Sequence, residues 1–203
     1  MAYLASSDIK DYGGIPATDT ADDAELTAII ARAQTYVEEY TGRVFSASSS
    51  SESTHYFTVY ENVRGRTLWL DGDLNTLGSD GIVAGTDTLA TTDYTTLPRN
   101  AKPYYGIKLT ANTPLTWDEP TSDGDYEDAI AVSGQWAYSS DVPNDIKQAM
   151  LRLVKWYYKQ GRVTDEVADR PIITESGVVV MPSQIPADIT EILERYRYRP
   201  VAS

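Results

Sequence analysis

The sequence predicts an α+β protein, a helical bundle of two long amphipathic helices plus shorter helices with an inserted β-rich module. Three observations lead there. Apolar residues recur at spacings of three and four in two separate stretches, near residues 22–41 and 144–161. Between them, residues 52–140 show short alternating runs broken by Asp-Gly pairs. The length of 203 residues suits one core, since single domains commonly run to about 100 to 200 residues. A single domain, 1–203, is therefore expected, with a helical core from 1–45 and 141–203 and a β-rich insert at 52–140.

Each element has a local reason. Ser7 to Tyr12, closed by Gly13-Gly14, predicts one short helical turn and then a loop through Pro16. From Asp22 to Thr41 the residues Leu26, Ile29, Ile30, Ala33, Val37 and Tyr40 line one helical face. Asp19 or Thr20 suits its cap, Asp22, Asp23 and Glu25 suit the positive end of its dipole, and Gly42 supplies a left-handed stop. Ser46 to Ser53 is nearly all serine, a flexible connection.

Candidate strands follow at His55 to Tyr60, Thr67 to Leu70, Gly81 to Val83, Thr86 to Leu89, Tyr94 to Leu97, Ile107 to Leu109 and Ala129 to Trp136. Asp71-Gly72, Asp80-Gly81 and Asp123-Gly124 are read as the turns between them. Val142-Pro143-Asn144-Asp145 then opens the second long helix, with Ile146, Ala149, Met150, Leu153 and Tyr157 on its apolar face and an end near Gly161. Ile172 to Met181, around Ser176-Gly177, reads as a β-hairpin, and Pro186 to Tyr196 as a last helix with Ile189, Ile192 and Leu193 inward. The two long helices each have one apolar face to bury and are expected to pack together.

Composition narrows the function classes. Cysteine is absent, which removes disulfides, thiolate metal sites and cysteine nucleophiles at once. No apolar run approaches the roughly 20 residues that span a bilayer, and the first residues lack the basic-then-apolar order of a signal peptide. Synthesis and residence in a cytoplasm, without a membrane partner, are the expectation. The net charge of -13 opposes long-range attraction to a phosphate backbone. That charge sits almost wholly in residues 1–140, with 21 acidic and 8 basic side chains, whereas residues 141–203 hold nine of each. Fifteen tyrosines and four tryptophans against two phenylalanines favour half-wet contact surfaces over a purely dry core.

Catalytic and metal signals are weak. His55 is the single histidine, so no second imidazole or thiolate is available to share a metal or build a relay. The sequence holds no Gly-x-Ser-x-Gly elbow, Gly-x-Gly-x-x-Gly fingerprint or Walker lysine. Asp71, Asp73 and Asn75 have the first ligand spacings of an EF-hand, but Thr76 and Ile82 stand where its glycine and glutamate belong. The cluster Asp123, Asp125, Glu127 and Asp128 has Gly134 at the twelfth position, so both clusters read as solvated turns. No cofactor or metal is expected, and the chain is read as a non-enzyme.

Two cationic features stand out as interaction candidates. Arg152, Lys155, Lys159 and Arg162 fall three, four and three residues apart and form a basic stripe on the second long helix, open to a protein partner, nucleic acid or simply solvent. The run Arg195, Tyr196, Arg197, Tyr198, Arg199 interleaves the two side chains most favoured as interface anchors; a solvated chain end is the plainer reading.

Taken in order, these parts resemble the head-tail connector family of tailed phages. The first long helix with its Tyr40-Thr41-Gly42-Arg43 ending is similar to that family's first helix. Val142-Pro143 followed by Ile146-Lys147-Gln148-Ala149 is similar to its helix after the insert. Leu68-Trp69-Leu70-Asp71 and Asp93-Tyr94 lie where the family carries strands, and Ile185-Pro186 to Arg197 is like its closing helix. The family's usual Gly-Tyr before the second long helix is replaced by Gln135-Trp136-Ala137-Tyr138.

The resemblance implies a structural virion subunit made in the host cytoplasm. Such subunits form a homo-oligomeric adaptor ring that docks under the portal protein, continues the DNA channel and receives a tail or stopper protein. It implies portal docking by Arg195, Tyr196, Arg197, Tyr198 and Arg199, while the stripe of Arg152, Lys155, Lys159 and Arg162 suits contact between subunits. An acidic channel lining would let genomic DNA pass without sticking. The alternative is a virion-associated carbohydrate-binding module built on the Tyr/Trp-rich β segment.

Overall fold

A computed structural model describes residues 2–47, 52–161, 172–173, 179–180 and 185–198. The elements run α1 (Ser6–Gly13), α2 (Asp23–Thr41), β1 (Ser53–Phe57), α3 (Val59–Asn62), β2 (Val63–Arg64) and β3 (Thr67–Ala84). Next come β4 (Asp87–Thr88), β5 (Tyr94–Leu97), β6 (Tyr104–Leu109) and β7 (Ile130–Trp136). The chain closes through α4 (Asn144–Gly161), β8 (Ile172–Ile173), β9 (Val179–Val180) and α5 (Ala187–Tyr196). Two compact units result, Arg43–Asp141 and Ala2–Gly42 with Val142–Arg199.

The first unit is a seven-stranded antiparallel sheet in the order β1-β7-β3-β6-β5, with β2 and β4 also paired to β3. The expectation of a helical bundle of two long helices with a β insert is corrected here: the architecture is this mostly antiparallel sheet with, among the described residues, five helices. The reason lies in β3, an 18-residue strand to which four other strands pair. Asp71-Gly72 and Asp80-Gly81, read as turns in the sequence, lie inside it. Its register slips between Trp69 and Leu74 against β6, and between Leu77 and Ile82 against β7. The Asp-Gly pairs thus mark bulges, where extra residues kink a strand without reversing it, and Gly81 takes φ +64° there.

The bulges keep one parity of β3 on one face. Leu68, Leu70, Leu74, Ile82 and Ala84 are all buried, and they meet Phe57, Ile107, Ile130 and Val132 in a single apolar cluster. Gly134 of β7 lies so close to β3 that a Cβ there would stand 2.4 Å from the Thr76 carbonyl oxygen, so only glycine fits. The segment between β6 and β7 brings in Trp117, which is 2% exposed and donates its indole N–H to the Arg66 carbonyl at 2.9 Å.

The start of this unit is pinned by charge. Arg43 pairs with the Asp73 carboxylate, and its guanidinium lies 5.2 Å from the Tyr138 ring centre. Burial pushes the Asp73 carboxyl above its ordinary range, outweighing the hydrogen bond and the charge of Arg43, which act the other way.

In the second unit α2 packs on α4, and both contact α1 and α5. Leu26, Ile30, Ala33 and Val37 of α2 meet a face of α4 on which Ile146, Ala149, Met150, Leu153 and Val154 are fully buried; Ile189 and Leu193 of α5 are equally buried. Arg32 lies 4.3 Å over the Tyr157 ring, and Tyr158 donates its hydroxyl to Asp22 at 2.6 Å. Gly42 ends α2 at φ +65° and donates to the Glu38 carbonyl. Ile172–Ile173 pairs antiparallel with Val179–Val180, while the turn expected at Ser176-Gly177 lies outside the described residues. Among the described residues no helix is long and apolar enough to cross a membrane.

Candidate interaction surfaces

The basic stripe of α4 is divided by its partners. Arg152 forms an ion pair with Asp188 of α5, so that cation is used inside the chain. Lys155 sits 5.2 Å over the Tyr12 ring of α1, and Lys159 lies one turn further on. Both are exposed, and among the described residues neither is in an ion pair. Arg162 lies outside the described residues.

These two lysines border a groove. Helix α1 is only eight residues long and stops at Gly14, whose φ of +68° turns the chain so that Ile15 folds back to donate to the Lys10 carbonyl. The turn leaves a hollow of about 180 Å³ among Ile9, Tyr12, Ile15, Leu26 and Tyr158, beside Lys155 and Lys159. A second hollow adjoins it at Asp19, Asp22 and Asp23. Its charge is partly spent: Lys10, 6% exposed, pairs with Asp23 at 2.6 Å, and Asp22 receives the Tyr158 hydroxyl.

The C-terminal run is folded back along its own unit. Tyr198 donates its backbone N–H to the Thr41 carbonyl at 2.6 Å, satisfying an acceptor left over at the end of α2. Tyr196 and Tyr198 are half-buried, whereas Arg195 and Arg197 are exposed. Arg197 lies 3.7 Å from Glu194, a solvent-facing pair of little energetic weight. Arg199 lies outside the described residues.

The acidic clusters are otherwise occupied. Asp71 lies 3.2 Å from Nδ1 of His55, Asp73 pairs with Arg43, and Asn75 is buried, so the three residues with EF-hand spacing do not converge. His55 itself stacks on Trp136 with ring centres 3.8 Å apart and planes 9° from parallel. In the second cluster Asp125 accepts from the Glu127 N–H and its own N–H donates to the Thr121 hydroxyl, which shapes the loop. Among the described residues no group of three or more His, Asp or Glu side chains could hold a metal ion.

Two features of the aromatic surface escaped the sequence reading. Residues 55–60 alternate like one strand, but β1 ends at Phe57 and α3 begins at Val59, which turns Tyr60 out to 70% exposure. Its ring lies 5.9 Å from that of Tyr126, and Glu61, Asp125, Glu127 and Asp128 around the pair are all exposed. On the same sheet, Trp69 and Tyr105 lie parallel, 7° apart, with ring centres separated by 6.0 Å.

No protein-family model matches the sequence, and no curated protein matches it. Solved structures do. A chain in the neck of an empty gene transfer agent (GTA) particle, computed with C6 symmetry, superposes with a TM-score of 0.60 over 98% of this chain and 92% of its own, at 16% identity. This chain shares that fold. A chain in the virion of a native gene transfer agent particle gives a TM-score of 0.59 at 17% identity, again over 98% and 92%. A chain in the neck of a native particle computed with C12 symmetry gives 0.57 at 17% identity, over 98% and 91%. The likeness runs through both units, so the sheet and the helices recur together in those particle chains.

Proposed function

We propose that this chain is a non-enzymatic structural subunit of the neck of a phage-like particle, a homo-oligomeric adaptor ring. The observation that carries the reading is the fold shared over nearly the whole chain with neck chains of gene transfer agents. The sixfold and twelvefold symmetries of those necks support a closed ring. In this reading the ring docks under the portal, continues the DNA channel, and receives a tail or stopper protein on its other side. The net charge of -13 suits a conduit that DNA crosses without adhering.

Within that ring, Lys155 and Lys159 contact the neighbouring subunit, with Arg162 as a further candidate by its spacing in the sequence, while Arg152, tied to Asp188, braces the helical unit. Portal docking falls to the exposed Arg195 and Arg197 with Arg199 and the half-buried Tyr196, and Tyr198 fastens the segment to the end of α2. Removing the gene from a particle-producing host tests the reading: DNA-filled heads without tails are expected, and complete infectious particles would refute it.

The parallel pair Trp69 and Tyr105 favours a second reading, carbohydrate binding on the sheet, because parallel rings suit stacking on a sugar face. Glycan-array binding that disappears in Trp69→Ala would support it.

A further inference from the structure

We propose that in the ring the Tyr60 side chain of one copy seats in the α1–α4 groove of the next. The contact rests on the ring reading above and names the surfaces that meet. A cyclic interface is heterologous, so each copy must carry two different complementary patches. Tyr60 and the groove belong to different units of the chain and supply one patch each.

Three properties match. The first is exposure: at 70%, Tyr60 is the most exposed large hydrophobic side chain among the described residues, and tyrosine is a favoured interface anchor. The second is shape. The groove measures about 180 Å³ and is floored by Ile9, Ile15 and Leu26, and a cavity of about 150 Å³ with such walls takes up a benzene ring.

The third is charge. Glu61 follows Tyr60 in the chain, Asp125, Glu127 and Asp128 flank Tyr126, all four are exposed, and Lys155 and Lys159 line the groove. Arg64, the nearest cation along the chain, is turned onto the carbonyls of Tyr60 and Val63. Of the acids of the neighbouring hollow, Asp23 pairs with Lys10, Asp22 receives the Tyr158 hydroxyl and Asp19 accepts the Ala21 N–H, while the lining of the groove itself holds no acid among the described residues. The knob is therefore acidic at its edge and the groove basic at its edge.

Charge reversal with rescue tests this on the full-length chain, read as assembly size by light scattering across a concentration series. K155E/K159E and E61K/E127K should each raise the concentration of half-assembly by about tenfold or more, and the chain carrying all four changes should return close to the parent value. Tyr60→Ala should weaken assembly similarly while leaving the melting temperature unchanged. Rings that form equally well in all these variants would overturn the contact and leave the ring reading standing. A parent chain that remains monomeric at every concentration would overturn both.

Discussion

The backbone N–H of Tyr198 lies 2.6 Å from the carbonyl oxygen of Thr41, fastening the last described residue of the chain to the end of α2. The bond separates what the terminal segment does for the fold from what it presents outward. Truncation after Glu194 removes two half-buried tyrosines and exposes the Thr41 acceptor, so denaturant unfolding should show a loss of about 1–3 kcal/mol. If the terminal arginines dock the portal, the triple change of Arg195, Arg197 and Arg199 to alanine abolishes portal pull-down at an unchanged melting temperature.

The Arg43–Asp73 pair predicts a pH dependence. Asp73 has its carboxyl raised by burial, so the ionised form is costly in the fold, and Arg43 offsets part of that cost. Arg43→Met leaves an uncompensated buried carboxylate and should destabilise by about 3 kcal/mol at pH 7. For a carboxyl raised in the fold, protonation favours the folded state. That contribution is present at low pH and is lost as pH rises through the folded value. The deficit of Arg43→Met should therefore shrink as the pH is lowered from 7 toward 4, and Asp73→Asn in the same chain should recover most of it. Unfolding free energies that show a pH-independent deficit would exclude this origin.

Gly134 tests the bulged pairing of β3 with β7. An alanine there would place its Cβ 2.4 Å from the Thr76 carbonyl and 2.6 Å from a Leu74 methyl, so backbone must move, at about 3 kcal/mol. Gly65→Ala meets open space and should cost only the left-handed penalty at φ +61°, about 1 kcal/mol. Thermal melts of the two variants should differ accordingly.

Arg152 and Lys155 are neighbours on the stripe, and Arg152 is paired with Asp188 whereas Lys155 is in no ion pair among the described residues. Arg152→Ala should leave ring assembly unchanged and slightly loosen the contact of α4 with α5, whereas Lys155→Glu should weaken assembly. Sedimentation of the two variants distinguishes them; equal loss of assembly would mean the stripe acts as one surface.

The helices were legible in the sequence because spacings of three and four along Leu26 to Val37 and Ile146 to Leu153 report a buried face directly, and Gly42 marks a stop that only one backbone conformation explains. Tyr94–Leu97 occupies the residues its alternation suggests. The dominance of the sheet was not legible. An Asp-Gly pair signals a reversal or a bulge equally well, and only long-range pairing with β6 and β7 selects the bulge inside β3. The cations of α4 were visible by spacing, but the commitment of Arg152 to Asp188, 36 positions on, depends on how α5 packs. Tyr60 was hidden for a related reason, since the break between Phe57 and Val59 carries no Gly or Pro.

Cryo-electron microscopy of the assembled particle tests the central proposal most directly. A closed ring of this fold lying between portal and tail, with its helical units in contact with the portal, is the predicted result. Finding the chain on the capsid surface or on tail fibres, with a different fold filling the ring below the portal, would contradict it.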